Sequence, residues 1–186
     1  MIETIVIACL VSKFRGYKLK PLFKRWEIYP IIIFTFIYCL LNLSIFFENY
    51  YFIRYSSVLE KIYILTFLIL IIKHEQYLEA IIGSISMIIG TLLNKIAIIT
   101  NGGKMPVFPT LSYITGYYKV GAFAKVNDIH ILGNKQSKCK ILTDFIDLGY
   151  SILSIGDIFI RIFAFLIIFK TIKSINELEF SNPSSI

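Results

Sequence analysis

Residues 29–47 read YPIIIFTFIYCLLNLSIFF, nineteen positions without a charge, interrupted only by Thr35, Cys39, Asn42 and Ser44. A helix of that length rises about 28 Å, close to the ~30 Å hydrocarbon core of a bilayer. Pro30 falls in the first turn, where its missing N–H leaves no helical bond unmade. A helix apolar on every face belongs in lipid or deep inside a large protein, so this stretch reads as a membrane span.

Working outward, six cations precede it as one cluster: Lys13, Arg15, Lys18, Lys20, Lys24 and Arg25. Such density marks a cytoplasmic loop against anionic headgroups. Before the cluster, an apolar run over about residues 2–14 carries Glu3 instead of a basic region. That is the reverse of a cleavable signal, so a retained first helix with its N-terminus outside is expected, although a rise of about 20 Å is short for a span.

After the span, Tyr50, Tyr51, Phe52 and Tyr55 supply the amphipathic rings of a membrane boundary. A third helix is predicted over about 57–72 and a fourth over 77–100, with Lys73-His74-Glu75-Gln76 as the turn between them. Along the fourth, Gly83, Met87, Gly90, Asn94 and Asn101 recur on one face, the stripe of a helix packed against another helix. Lys95 lies beside this stripe and can snorkel to water. A last apolar helix is predicted over 154–170, followed from 176 to 186 by a disordered tail. The expected fold is an all-α membrane bundle of about five transmembrane helices, one domain over 1–175, with a partly structured loop at 101–153.

Composition agrees with lipid as the solvent: of 186 residues 56% are hydrophobic and 17% charged, and the mean hydropathy is +0.73. The net charge of +7 is concentrated in the basic loop, which argues for topology and against nucleic acid. Cys9, Cys39 and Cys139 imply no disulfide framework. With the N-terminus outside, nine loop cations lie inside and seven outside, which places the C-terminus in the cytoplasm.

All four aspartates, Asp128, Asp144, Asp147 and Asp157, fall in the long loop or at the mouth of the last helix, with His130 and Cys139 among them. Such groups serve acid-base chemistry, but no pair has a spacing specific for zinc, so neither a metal nor a cofactor is expected. Ser154-Ile155-Gly156-Asp157 has the form of a capping box, with Asp157 facing Arg161 four residues on. Arg161 lies inside an apolar run, where ions pair or mark a cavity. Asn101-Gly102-Gly103-Lys104-Met105-Pro106-Val107 follows the fourth helix and reads two ways: a helix stop, or a backbone nest that holds an anion with Lys104.

Asn94, the 101–107 string and Ser154-Ile155-Gly156-Asp157, with Arg15-Gly16, His130 and Leu142-Thr143-Asp144, resemble the DUF5317 family of small bacterial membrane proteins, frequent in clostridia and without an assigned function. Lys104 stands where that family commonly has arginine, and the first helix is shorter than the resemblance leads one to expect. The resemblance implies a cell-membrane location and architecture, not an activity.

The expected role is a binding or accessory protein with an outer-face site between the fourth and last helices. Asn94, Asn101, Gly102, Gly103, Lys104, His130, Asp144, Asp157 and Arg161 are the candidate ligand-binding residues. Its expected partners are membrane lipids and a membrane protein, and no nucleic acid. The alternatives are an enzyme acting on a lipid-linked substrate, with Asp144 or Asp157 as acid-base group and His130 assisting, and a small transporter subunit using Asn94, Lys95, Asp157 and Arg161.

Overall fold

A computed structural model describes residues 2–119, 121–122 and 128–181. It is mostly helical: α1 (Ile2–Phe14), α2 (Tyr29–Phe46), α3 (Ser56–Lys73), α4 (Tyr77–Thr100), α5 (Leu111–Thr115) and α6 (Ile155–Ser181). Among the described residues, three helical stretches are long and apolar enough to cross a membrane, Trp26–Phe46, Tyr51–Lys73 and Tyr77–Thr100. Their large apolar side chains point outward in quantity, among them Ile33, Phe36, Leu43, Leu65, Ile88 and Ile99. Water would oppose that exposure, whereas hydrocarbon accepts it. In α6 the apolar run is interrupted by Asp157, Arg161, Lys170 and Lys173.

The chain divides into two compact units, and α2, α3, α4 and α6 each contribute to both. The first unit comprises 1–36, 59–86 and 161–186. Its core is Ile31, Tyr63, Phe67, Leu70, Ile167, Ile168, Ile172 and Ile175, with Phe67 edge-on to Tyr63 and to Phe163. Gly83 explains how close α4 comes to α6 here, since a Cβ at that position would lie 2.9 Å from the Phe163 backbone. Arg161 Nη1 meets Glu3 Oε2 at 2.8 Å, tying α1 to α6. The expected facing of Arg161 to Asp157 gives way to this pair, because a half-buried guanidinium gains more from a carboxylate brought up by another helix.

Where a disordered tail is expected from 176, α6 continues to Ser181, and residues 182–186 lie outside the described residues. The side chain of Asn176 accepts from Lys18 N at 2.7 Å and donates to Lys18 O at 3.0 Å. This reciprocal clamp on the basic loop, next to the fully buried Ile175, holds the extra turns.

The second unit comprises 37–58 and 87–160. Its long segment after α4 is not purely helical: β1 (Met105–Val107) pairs in parallel with β2 (His130–Leu132), and β3 (Ile146–Asp147) pairs antiparallel with β4 (Ile152–Leu153). The loop that reads as only partly structured thus holds short strands at His130–Leu132 and Ile146–Asp147. Apolar stretches of two or three residues cannot nucleate a helix, and pairing satisfies their backbone groups.

Candidate functional site

The string from Asn101 to Val107 builds the frame of the site. At the end of α4, Asn101 N, Gly102 N and Gly103 N donate to Ile98 O, Ile99 O and Ile98 O. Gly102 and Gly103 take φ of +67° and +82°, the left-handed turn that ends a helix. The amides that a nest would offer an anion are therefore committed to the helix end. Asn101 clamps the far side of the loop, accepting from Lys138 N at 2.8 Å and donating to Lys138 O at 3.0 Å. Lys104 Nζ donates to Asp128 O at 3.2 Å. Replacing Asn101 by Ala removes both loop bonds, for an expected loss of about 1–2 kcal/mol. Faster protease cleavage of the 134–140 region, with α2 to α4 intact, checks this.

β1 then serves as a spine with a functional residue on either side. Met105 N donates to Ile129 O, and His130 sits opposite Met105 in β2. On the other side Asp144 N donates to Pro106 O at 3.1 Å, and Phe108 N to Asp144 O at 2.8 Å. His130 and Asp144 thus converge by backbone pairing. His130 Nδ1 lies 2.6 Å from Asp128 Oδ2, and its Nε2 lies 3.5 Å from Asp144 Oδ2.

This triad borders a cavity of about 290 Å³. Leu41, Ile45, Ile53 and Ile152 line its apolar part, and Tyr38, Tyr50, Tyr117 and Tyr118 surround it with rings. Tyr117 Oη donates to Asn42 Oδ1 at 3.4 Å. The Tyr50 hydroxyl is buried with no hydrogen-bond partner among the described residues. An apolar concavity with few convergent polar groups is the usual form of a small-molecule site.

The electrostatics set the triad apart. Burial pushes the Asp144 carboxyl up to about 7, helped by the charges of Asp157 and Asp128 and opposed by His130. Burial also works against the His130 cation, but the hydrogen bond to Asp128 and the charges of Asp144 and Asp128 outweigh it, so its pKa rises. Asp128 is held low by that same hydrogen bond. A carboxyl pushed up to about 7 beside an imidazole can exchange a proton with a bound molecule.

The remaining candidates are engaged in structure. Asp157 and Ser154 form the capping box read from the sequence, Ser154 N donating to Asp157 Oδ2 and Asp157 N to Ser154 Oγ, each at 2.9 Å. Asn94 joins it, donating to Asp157 Oδ1 at 3.0 Å and accepting from Ser154 Oγ at 2.7 Å. Asp147 caps α5, accepting from Thr110 N, Ser112 N, Ser112 Oγ and Gly149 N within 2.6–2.8 Å. Of the nine candidates, His130 and Asp144 reach the cavity, and Arg161 is held by Glu3. The tyrosines were the residues missed. Tyr50 reads from the sequence only as a boundary ring, and Tyr117 carries no signal at all. Among the described residues no three His, Cys, Asp or Glu side chains are placed to hold a metal ion.

A model of a family of unknown function, DUF5317, matches residues 19–169. No curated protein and no solved structure matches the chain.

Proposed function

The chain belongs to the DUF5317 family, and on that premise we propose that it is a multi-pass protein of the bacterial cell membrane, a binding or accessory protein whose outer-face cavity takes an amphipathic small molecule. The observation that carries the reading is the 290 Å³ cavity, with an apolar, tyrosine-ringed body and a titratable corner. Such a lining suits a molecule with an apolar part and a polar head, the form of a lipid or lipid-linked compound. Filling the cavity by Ile45→Trp is the test. Native mass spectrometry of protein extracted with its lipids should show a bound molecule on the wild type and its loss from the variant. An unchanged complement of bound molecules counts against the cavity.

Five spans, α1 to α4 and α6, complete the proposal. α1 is short, and its pair with Arg161 fastens it to the bundle. α6 has 27 residues, enough length to cross. The density of the first basic cluster supports an N-terminus outside and a C-terminus in the cytoplasm. Cys139 is exposed while Cys9 and Cys39 are partly covered, so the native cysteines report the topology. A membrane-impermeant maleimide should label Cys139 on intact cells and leave Cys9 and Cys39 unmodified. Labelling of Cys139 only after lysis would reverse the orientation.

One observation favours a second reading, an enzyme on a lipid-linked substrate. His130 and Asp144 stand 3.5 Å apart with Asp128 orienting the ring, an arrangement fit for general acid-base work. Its mark would be turnover abolished by His130→Gln in a folded protein.

A further inference from the structure

We propose that the cavity selects amphiphiles with a cationic head, of the alkylammonium type, seating the apolar body on Leu41, Ile45 and Ile53 and the head between the tyrosine rings and the Asp144 carboxylate. This rests on the binding reading above and adds the charge class of the ligand.

Among the described residues that line the cavity, the charges are unbalanced. Asp128 and Asp144 supply two carboxylates against the single imidazole of His130, and Asp157 adds a further negative charge near Asp144. The imidazole is committed to Asp128 at 2.6 Å, which leaves Asp144 its longer 3.5 Å contact. Two ammonium groups stand nearby: Lys104 donates to Asp128 O at 3.2 Å and offsets part of the Asp128 charge, and Lys119 pairs with Glu48 Oε1 at 2.8 Å, so neither is a partner of Asp144. No lysine or arginine is among the described residues that line the cavity. The buried Asp144 carboxylate, whose one ion-pair contact among the described residues is His130 at 3.5 Å, gains from a cation delivered by a ligand, and an anionic head would meet a like charge there.

The rings argue the same way. Tyr38, Tyr50, Tyr117 and Tyr118 line one small space, and the negative face of an aromatic ring attracts an ammonium within about 6 Å of its centre. The buried Tyr50 hydroxyl lacks a partner among the described residues. It can accept an N–H from a primary ammonium or contact a quaternary one.

Proton linkage gives the signature. A cation favours ionised Asp144, so binding below pH 7 must displace that proton, and affinity should climb up to about tenfold per pH unit until the carboxyl is ionised. Loss of the His130 charge at higher pH makes the corner more negative and acts in the same direction.

The experiment uses the full chain in nanodiscs, titrated calorimetrically with octyltrimethylammonium, octanol and octyl sulfate from pH 5.5 to 8.5, on wild type, Asp144→Asn and Ile45→Trp. The expected result is tightest binding of the ammonium, by about tenfold over octanol, rising with pH and weakened about tenfold by Asp144→Asn. Octanol or octyl sulfate binding as tightly as the ammonium, with both lost in Ile45→Trp, overturns the charge selection and leaves the cavity reading standing. Binding that ignores Ile45→Trp, or no binding of any of the three, overturns both. Should a variant not fold, the wild-type ranking and its pH slope decide alone.

Discussion

Gly156→Val should leave little or no folded protein. Gly156 opens α6, and a Cβ built there would lie 2.5 Å from Gly90 O and 2.6 Å from Asn94 Cγ. Gly90 is its counterpart on α4: a Cβ there would sit 2.9 Å from Ile160 Cγ1 and 3.0 Å from Phe159 Cβ. One obstacle is a backbone carbonyl, which has no rotamer in which to yield. The other is the amide that ties Ser154 and Asp157 into the capping network. Valine must therefore separate the two helices or break that network, at an expected loss of about 3 kcal/mol or more. Gly16→Ala is the contrast, because Gly16 has φ +85° and open space around it. Its loss is the backbone strain alone, about 1–2 kcal/mol. Thermal unfolding in detergent and the monodisperse fraction on size exclusion measure both. Equal losses would mean that α4 and α6 do not approach at this point.

That close approach was readable in the sequence, and the reason is local. Gly83, Gly90 and Asn94 recur at helical spacing, so a helix over 77–100 puts them on one face. The capping box at 154–157 was readable for the same reason, since four consecutive residues hold both partners. α2, α3 and α4 match their predicted bounds within a residue because long apolar runs broken by compact polar turns leave few other solutions. The extra turns of α6 and the partner of Arg161 were not readable. Each depends on contacts such as Glu3 with Arg161 or Lys18 with Asn176, each pair 158 positions apart, which periodicity cannot register.

The site divides along the same line. The clustering of aspartates was visible, but composition could not separate those that cap from those that face a cavity. Asp147 and Asp157 accept backbone N–H groups at helix starts, the ordinary use of aspartate. Asp144 differs only because β1 aligns it across from His130 through one Pro106 carbonyl and one Phe108 amide. The Asn101-to-Val107 string read as a helix stop or a nest; it makes the stop at Gly102 and Gly103 and continues into that spine at Met105–Val107. Its strand part places two residues that lie far apart in the sequence, His130 and Asp144.

Asp144→Asn should remove most of the pH dependence of stability between pH 5 and 8, and the variant should be the more stable protein at pH 8. Asp144 is 5% exposed, and its carboxyl is pushed up to about 7 from an unfolded value near 3.8. A folded-state pKa raised in this way contributes stability that is complete below the unfolded value and lost as pH rises through the folded one. His130, also raised, loses its contribution at the alkaline end of the same window. Asp128, held low, acts oppositely but only at more acid pH. Wild-type stability should therefore fall by about 3 kcal/mol on going from pH 5 to 8, most of it from Asp144. Asparagine keeps the shape and has no charge to bury, so only the smaller His130 part of the slope should remain. Denaturation midpoints at four pH values give the two slopes, and parallel slopes would show that Asp144 ionises without penalty. A carboxylate that weakens its own fold at neutral pH serves no packing need that asparagine would not meet. A buried carboxyl held at such a cost is typical of functional sites, which is why Asp144 is the first residue to test in the proposed cavity.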